Sequence, residues 1–267
     1  MGIVNANPDS FSDGGISAGT EAAVRHGLAQ AEAGADVVEV GGESLRFSPH
    51  TPVDVEIGRV VPVIERLART LDVPVAVDTF KPAVAEAAIA AGAAILNDPT
   101  GLRDPAMRRV AAEGGVGVVV THFFGEPKVR PVAFPAGDVT ATIVEWARRR
   151  IDEAGQAGVA PGRIVLDPGL GLGTSPPQDL EMLRRIGEVA ALGRPVLVPI
   201  SNKKVLGAIT GDAAPDRLPG TTAGAVWCRV HGATVFRVHD VAFLRRALAV
   251  ADALVTGAPE RWHDVIK

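Results

Sequence analysis

Short runs of aliphatic residues alternate with longer amphipathic stretches along the whole chain, and this alternation constrains the fold more than any other feature. The runs lie at residues 2–6, 36–42, 73–79, 94–98, 116–122, 163–169, 195–201 and 234–240. Most of them are nearly continuous Val, Ile, Leu and Ala, which is typical of strands buried on both faces of a parallel sheet. We therefore expect eight parallel strands.

The stretches between the runs carry the signals of amphipathic helices. The predicted helices span residues 20–33, 52–71, 82–91, 104–113, 140–157, 177–191, 222–230 and 241–255. Thr51 is placed as an N-cap with Pro52 at the first helical position, and Gly34 is placed to end the first helix. Two stretches without periodicity, 125–137 and 212–220, are predicted to be loops that follow strand ends.

Eight strand–helix units in a chain of 267 residues predict an α/β fold, a single-domain (β/α)₈ TIM barrel over residues 1–267. The alternative is a doubly wound open sheet, which usually has a G-x-G-x-x-G turn after its first strand. No such turn follows residues 2–6. The glycines in GLGLG at 169–173 follow the sixth run and lack the spacing that leads into a helix. The barrel is therefore preferred.

Composition and charge exclude several classes of protein. The net charge of −4 gives no support for a nucleic-acid partner. No apolar run approaches the roughly 18 residues that span a bilayer, and the N-terminus lacks the features of a secretory signal. We therefore expect a cytoplasmic protein with no membrane partner. Cys228 is the single cysteine, so an internal disulfide is impossible, and we expect it to pack within the helix at 222–230.

Every predicted strand ends in a polar or charged residue, and chemistry in such barrels gathers at the carboxyl ends of the strands. The candidates are Asn5, Glu43, Ser44, Arg46, Asp78, Asn97, Asp98, Thr121, His122, Asp167, Ser201, Lys203, Arg237, His239 and Asp240. Ser44, Asp98 and Asp240 suit helix caps equally well, and His122 suits a core histidine. Asp78 and Asp167 follow apolar runs, so their carboxylates are expected over the barrel mouth. Such burial requires pairing or hydrogen bonds, and a structural salt bridge is the alternative.

These residues fall into two chemical groups. Asp78, Asn97 and Asp167 supply acceptors and one amide, which suit a flat heterocycle with several N–H donors, such as a 2-amino-4-oxo-pyrimidine edge. The second group is cationic and suits an oxyanion, with guanidinium groups favoured for phosphate. Its members are Arg46, Lys203, Arg237 and His239. The pattern predicts a donor-rich ring beside a phosphate-like group and leaves the compound open.

Two long motifs and five short ones occur in order on successive predicted strands. The long motifs are MGIVNANPDSFSDGG at 1–15 and DVVEVGGESLR at 36–46. The short motifs are VDTFK at 77–81, LND at 96–98, LDPG at 166–169, SNK at 201–203 and RVHD at 237–240. Together they resemble the signatures of the dihydropteroate synthase family, whose second signature usually reads G-G-E-S-T-R-P. The resemblance covers essentially the whole chain.

The resemblance implies a transferase of folate biosynthesis. Such an enzyme condenses 6-hydroxymethyl-7,8-dihydropterin diphosphate with p-aminobenzoate and gives 7,8-dihydropteroate and diphosphate. The reaction of the family looks dissociative: diphosphate leaves, and the arylamine attacks the cationic pterin methylene. The resemblance also implies Mg²⁺ as the cofactor, small molecules as the binding partners, and a homodimer formed through outer helices near the C-terminal half.

The resemblance also assigns roles to the candidate residues. The pterin edge would be held by Asp78, Asn97, Asp167 and Lys203. The diphosphate would be held by Asn5, Arg46, Arg237 and His239, with Asn5 helping to place the metal. The p-aminobenzoate pocket would include Phe11, Arg46, Phe47, Leu172 and Ser201. The loop at 7–15 would close over the site, and Asp13 would support the charge at the reacting carbon. The catalytic set is thus Asp13, Asp78, Lys203 and Arg237.

Departures from the family pattern cluster in the loops. Asn7, Leu45, Phe47, Leu172, Thr174 and Asn202 stand where the family usually has Thr, Thr, Pro, Phe, Lys and Arg. Phe47 adds an aromatic face and bulk beside Arg46, enough to reshape a small arylamine pocket. We hypothesise that sulfonamides inhibit this protein unusually weakly. If the Phe47→Pro change left sulfonamide affinity unaltered, that hypothesis would be wrong.

The departures leave three interpretations open: an ordinary folate enzyme with an altered pocket, a paralogue that accepts another amine or tolerates sulfonamides, and a pterin-binding homologue without turnover. A rival from another class is a methyltetrahydrofolate–corrinoid methyltransferase, which has the same barrel and no diphosphate to bind. Arg46, Arg237 and His239 argue against that rival, as does the SFSDGG loop. A non-enzymatic scaffold would bind the ligand without turning it over.

Overall fold

The computed structural model describes residues 1–6, 15–45, 49–129 and 133–257. Within these ranges eight parallel strands are present: β1 (Gly2–Asn5), β2 (Val38–Gly41), β3 (Val75–Asp78), β4 (Ile95–Asp98), β5 (Gly117–Thr121), β6 (Ile164–Asp167), β7 (Leu197–Val198) and β8 (Val235–Phe236). Each strand lies inside the aliphatic run that predicts it. The strand predictions are therefore confirmed, and each strand is shorter than the run that predicts it, by up to four residues at one end.

The strands close into a barrel. β1 to β6 form one sheet in chain order, and β7 pairs with β8. Parallel bridges between Leu166 and Val196 and between Val238 and Gly2 join the two sheets. The amide of Val238 also donates to the carbonyl of Met1, with 3.0 Å between nitrogen and oxygen. The last strand thus returns to the first, which confirms the (β/α)₈ barrel and excludes the doubly wound sheet.

Ten helices accompany these strands in the described part of the chain. They are α1 (Gly15–Glu32), α2 (Val53–Thr70), α3 (Pro82–Ala90), α4 (Pro105–Gly114), α5 (Val139–Gln156), α6 (Pro176–Arg184), α7 (Ile186–Ala190), α8 (Lys204–Thr210), α9 (Leu218–Val230) and α10 (Val241–Thr256). All eight predicted helices have a counterpart among them. Cys228 is buried in α9, as expected.

The helices differ from the prediction at four points, and the first is that α1 begins at Gly15 rather than at residue 20. The stretch 177–191 forms two helices, because Arg185 has φ −111° and ψ 21°, which lie outside the helical range. The short helix α8 was missed, since its seven residues are too few to show a period. The loop predicted at 212–220 is shorter than expected, because α9 begins at Leu218.

The predicted N-cap of α2 is wrong. The capping position is occupied by Pro52, with φ −56° and ψ 148°, and no side chain caps the helix there. Thr51 instead donates its backbone N–H to Glu43 Oε1 at 2.6 Å. Its carbonyl oxygen accepts a hydrogen bond from Lys81 Nζ at 2.5 Å. The backbone of Thr51 is thus bound to charged side chains that precede and follow α2 along the chain.

Three aspartates at or after strand ends accept hydrogen bonds from backbone N–H groups. Asp104 and Asp240 are the N-caps of α4 and α10, and each accepts a hydrogen bond from an N–H of the first helical turn. Asp98 closes the turn after β4 by accepting from the N–H groups of Thr100 and Leu102. The helix-cap alternative therefore holds for Asp240 and is wrong for Asp98, because the N-cap of α4 is Asp104 and Asp98 closes the turn before it.

The main core lies between the strands and the helices. In α2 the side chains of Val63, Ile64 and Leu67 are fully buried, and burying each such chain stabilises the fold by about 1.5–3 kcal/mol. α1 approaches α2 closely at Gly27, where an added Cβ would lie 2.6 Å from the Leu67 side chain. Among the helices that the structure describes, none is long and apolar enough to cross a membrane.

Candidate functional site

Six polar side chains from different strands meet at the carboxyl end of the barrel. They are Glu39 of β2, Asp78 of β3, Asn97 of β4, Thr121 of β5, Asp167 of β6 and Arg237, which directly follows β8. The strand register places Asp78 beside Asn97 and Thr121 beside Asp167. The three residues predicted to hold a ring edge, Asp78, Asn97 and Asp167, therefore lie in one group.

Arg237 is held by two carboxylates. Its Nε donates to Glu39 Oε2, and a terminal nitrogen donates to Asp78 Oδ2 at 2.8 Å. The Glu39 side chain is 1% exposed, whereas those of Asp78 and Arg237 are 19% and 24% exposed. The sequence assigned Arg237 to the diphosphate group. In the structure its guanidinium also contacts a member of the ring-edge group, so the two groups are contiguous.

Glu39 is a site residue that the sequence analysis missed, because only residues at strand ends were considered. It lies in the middle of β2, between the buried Val38 and Val40. A charged residue inside an aliphatic strand is itself a signal, since an ionised carboxylate is buried at high cost unless it is paired. The DVVEVGG stretch at 36–42 carries that signal.

Asn97 is fixed in a single orientation by its neighbours. Its amide nitrogen donates to Glu39 Oε1 at 2.7 Å, and its amide oxygen accepts from the Thr121 hydroxyl at 3.3 Å. The side chain is thus a rigid donor–acceptor pair, in which the oxygen can accept a second hydrogen bond and the nitrogen can donate one. Such a group can read the edge of a planar heterocycle.

Asp167 and Lys203 form the opposite side of the site. Asp167 Oδ1 accepts a hydrogen bond from the Gly169 N–H at 2.7 Å, and Lys203 Nζ donates to the carbonyl of Leu170 at 2.5 Å. Gly169 has φ +76°, and a Cβ there would lie 1.8 Å from the carbonyl oxygen of His122. The LDPG motif thus requires glycine for this turn, which aims its N–H at the Asp167 carboxylate.

Burial shifts the ionisation of this group. Burial and then the nearby Glu39 carboxylate raise the pKa of Asp78, against the lowering effect of Arg237. Burial raises the pKa of Asp167 to about 6, although the Gly169 N–H and Lys203 oppose the shift. Burial also lowers the pKa of Lys203, against the effect of Asp167. A ligand that donates hydrogen bonds to these two carboxylates would therefore stabilise their ionised forms.

The remaining predicted residues of the described part lie around the rim. Asn5 at the end of β1 and His239 after β8 are exposed. Ser201 is half-buried, and its hydroxyl lies 2.8 Å from His239 Nδ1. Leu172 is half-buried, and its carbonyl accepts from the Phe124 N–H at 3.1 Å. The predicted residues Phe11, Asp13, Arg46 and Phe47 lie outside the described residues.

A second group of charges lies beside β2 and β3 and links three loops. Lys81 Nζ donates to Glu43 Oε2 at 2.5 Å and to Glu56 Oε2 at 2.7 Å, and Lys128 Nζ lies 3.0 Å from Glu43 Oε1. Burial alone would raise the pKa of Glu43, but hydrogen bonds led by that from Lys81 lower it to about 2. The sequence marks Glu43 only as a strand-end candidate. In the structure it binds the Thr51 N–H, Lys81 and Lys128.

His122 packs in the core. Its ring makes edge contacts with Trp146 and Phe134, with centroid separations of 4.9 and 5.8 Å. Burial and, to a lesser extent, Arg103 lower its pKa to about 4. Within the described ranges its Nδ1 has no hydrogen-bond partner. The core alternative therefore holds for His122.

The arrangement can bind a ring through its edge and an anion at the rim. Nothing in it requires a nucleophilic side chain. Searching the described residues finds no gathering of three or more His, Cys, Asp or Glu side chains suited to a metal ion. Asn5 offers an exposed amide oxygen, a ligand type that suits Mg²⁺, which is usually held by one or two protein oxygens together with substrate phosphates.

Comparison with known proteins gives the following matches. The pterin binding enzyme family matches residues 1–239. A Haloferax volcanii protein named probable bifunctional folylpolyglutamate synthase/dihydropteroate synthase is 43% identical over 264 residues, which are 98% of this chain. The chain spans only 31% of that relative. The dihydropteroate synthase of Escherichia coli is 36% identical over 265 residues, 99% of this chain and 94% of the relative.

Two further matches bear on structure and activity. The structure of Xanthomonas albilineans dihydropteroate synthase with 4-aminobenzoic acid superposes with a TM-score of 0.90 and 42% identity, covering 97% of this chain and 93% of the other. A Mycobacterium tuberculosis protein named inactive dihydropteroate synthase 2 is 40% identical over 261 residues, 95% of this chain and 82% of the relative. The chain is thus about equally similar to a protein named dihydropteroate synthase, at 42% identity, and to one named inactive, at 40% identity.

Proposed function

This chain belongs to the pterin-binding enzyme family, and on that premise we propose that it is a transferase with dihydropteroate synthase activity. It condenses 6-hydroxymethyl-7,8-dihydropterin diphosphate with p-aminobenzoate, and the products are 7,8-dihydropteroate and diphosphate. The observation that carries the proposal is that Asp78, Asn97 and Asp167 lie together at one end of the barrel: Arg237 binds Asp78, Glu39 binds Asn97, and the charges of Arg237 and Glu39 both act on Asp167. This group presents acceptors and one oriented amide to the edge of a pterin.

The pterin half of the substrate binds to the ring-edge group. Asn97 reads the edge with an amide whose orientation is set by Glu39 and Thr121. Asp167 and Asp78 accept hydrogen bonds from ring and exocyclic N–H groups. A carboxylate has about four lone-pair positions, and the Gly169 N–H uses one on Asp167. Lys203 contacts the ring from the strand-seven side.

The diphosphate half binds to Asn5, His239 and Arg237, and the family resemblance assigns Arg46, which lies outside the described residues, to the same role. The Ser201 hydroxyl against His239 Nδ1 leaves Nε2 as the ring nitrogen that can face the diphosphate. Asn5 would hold Mg²⁺, which when bound would neutralise charge that develops on the leaving group. Asp13 and the buried carboxylates favour the positive charge that remains on the pterin methylene. The amine of p-aminobenzoate would then attack that carbon and lose a proton to solvent, and the residues assigned to its pocket by the resemblance are Phe11, Arg46, Phe47, Leu172 and Ser201.

The assembly and location of the protein are further parts of the proposal. We propose that residues 1–267 form one domain and that the protein acts as a homodimer in the cytoplasm. Exposed apolar side chains on α9 and α10 support the dimer: Val230 is 50% exposed and Leu254 is 77% exposed. Exposed apolar residues that cluster on neighbouring helices often mark protein contacts.

The experiment that tests the function is diphosphate release from the pterin diphosphate with Mg²⁺, with and without p-aminobenzoate, while dihydropteroate is quantified. We expect release that depends on the amine and yields one dihydropteroate per diphosphate. Asp167→Asn should suppress turnover, whereas the matched change Asp138→Asn at the exposed cap of α5 should leave it intact.

Other outcomes point to the alternatives. Diphosphate release without dihydropteroate would favour a paralogue with a different amine. Pterin binding without release would favour a non-catalytic homologue, an alternative supported by the similarity to the mycobacterial protein named inactive. Tight binding of methyltetrahydrofolate without diphosphate binding would favour the methyltransferase rival.

A further inference from the structure

Asp179 is a buried carboxylate that the proposed reaction does not use. It lies in the first turn of α6 and is 1% exposed. Its Oδ1 accepts hydrogen bonds from the Gly171 N–H at 3.0 Å and from the Thr174 hydroxyl at 2.5 Å. Thr174 stands where the family pattern usually has Lys. The carboxylate therefore holds the glycine-rich loop after β6 in place, and one of its two hydrogen bonds comes from a threonine that departs from the family pattern.

The same loop also binds the side chain of Lys203. Lys203 Nζ donates to the carbonyl of Leu170, one residue before Gly171. A Cβ added to Gly171 would lie 3.8 Å from Asp179 Oδ2 and 3.9 Å from Lys203 Cδ. Both charged side chains therefore approach the same backbone position. The shape of the loop fixes where the Lys203 ammonium is anchored.

The charges around Lys203 make Asp179 electrostatically relevant as well. The charged groups that act on Lys203 are Asp167 at the end of β6, Arg237 after β8 and Asp179 on α6. Burial and Arg237 lower the pKa of Lys203, and the two carboxylates raise it. In turn, burial raises the pKa of Asp179, against the effects of Thr174, Gly171 and Lys203. Asp179 is thus one of two carboxylates that offset the burial of this ammonium.

We propose that Asp179 is a positioning residue for pterin binding, which fixes the loop that holds Lys203 and stabilises the Lys203 ammonium by its charge. This inference rests on the proposed function, in which Lys203 contacts the pterin ring. Loss of the charge and loss of the loop contact should therefore affect binding differently. Asp179→Asn keeps the size and the acceptor atom but removes the charge, whereas Thr174→Val keeps the charge but removes one hydrogen bond.

The test is calorimetric titration of the full chain with 6-hydroxymethyl-7,8-dihydropterin diphosphate and Mg²⁺ between pH 6 and 10. For the wild-type chain we expect binding to weaken on the alkaline side as Lys203 loses its proton. Asp179→Asn should move this alkaline limb to lower pH, because it removes one of the two carboxylates that raise the pKa of Lys203. Thr174→Val should weaken binding at every pH without moving the limb, and Thr174→Ser should restore it.

The outcomes separate the inference from the proposed function. If the wild-type chain binds and Asp179→Asn gives the same alkaline limb, the role of the charge is refuted. If Asp179→Asn does not fold, the Thr174 pair still decides: a Thr174→Val chain that binds as tightly as wild type overturns the positioning role. If the folded wild-type chain does not bind the pterin diphosphate, the proposed function falls and the inference falls with it.

Discussion

Removal of the Glu39 carboxylate should destabilise the barrel strongly although Glu39 lies at the functional end. Glu39→Ala removes the carboxylate that accepts a hydrogen bond from the Asn97 amide. Of the two carboxylates that bind Arg237, it leaves Asp78. Breaking a buried ion pair by removing one partner costs about 3–5 kcal/mol. Because Asp78 still neutralises part of the Arg237 charge, we expect the lower end, about 3 kcal/mol. For a chain of this size, that corresponds to a melting temperature lower by roughly 6–12 °C.

The assay is urea unfolding of the wild-type chain and of variants, followed by thermal melting. The matched control is Glu188→Ala, which removes an exposed glutamate paired with Arg185 on the helical surface and should leave the midpoint unchanged. The double variant Glu39→Ala, Arg237→Met should lose less than the sum of the single changes, because the second change removes the uncompensated charge. A loss under about 1 kcal/mol for Glu39→Ala, or strict additivity in the double variant, would refute the reasoning.

Three further predictions rest on separate contacts. Gly169→Ala should lower the urea midpoint far more than Gly211→Ala: both glycines have positive φ, but only a Cβ at 169 meets backbone, whereas at 211 no atom lies within 4 Å. Below pH 6 the affinity for 6-hydroxymethyl-7,8-dihydropterin should fall, because burial raises the pKa of Asp167 to about 6 and the ligand binds the ionised carboxylate. In calorimetry, Asp167→Asn should bind the pterin weakly, and its affinity should not fall at acidic pH. The same raised pKa makes the Asp167 contribution to the free energy of unfolding fall as pH rises from about 4 to 6, so a stability difference between wild type and Asp167→Asn that stays constant over this range would contradict the assignment. Finally, Val230→Asp should convert a dimer to monomer in sedimentation equilibrium if α9 forms the contact, and a monomeric wild-type chain would refute the proposed dimer.

The strands could be predicted from the sequence because a doubly buried strand has few polar positions to interrupt the aliphatic pattern. Val38 and Val40 are fully buried, and so are Val75 and Val77 to within 1%. Helix ends were harder to predict. The backbone of Thr51 binds Glu43 and Lys81, which lie in other loops, and a local capping rule cannot anticipate such tertiary hydrogen bonds.

The sequence could predict which residues form the ring-edge group, but it could not predict the contacts that those residues make. Asp78, Asn97 and Asp167 each follow an aliphatic run, and the barrel brings such positions to one end. The contact of Arg237 with Glu39 spans 198 positions of sequence, and only barrel closure between β8 and β1 brings it about. Asp179 was likewise hidden, because its partners Gly171 and Thr174 are recognised only once the loop after β6 folds back on α6.

The distribution of charge along the barrel supports a dissociative reaction. Inside, the carboxylates Glu39, Asp78 and Asp167 act on one another and on the cations Lys203 and Arg237. When the three carboxylates are ionised, this set carries one net negative charge, which favours a pterin that donates N–H groups and then becomes cationic at its methylene. At the rim, by contrast, the side chains assigned to the diphosphate are cationic or neutral. In the proposed reaction we therefore expect the two products to be stabilised in separate places as the carbon–oxygen bond breaks, the cation near the carboxylates and the anion at the rim, with Arg237 serving both groups.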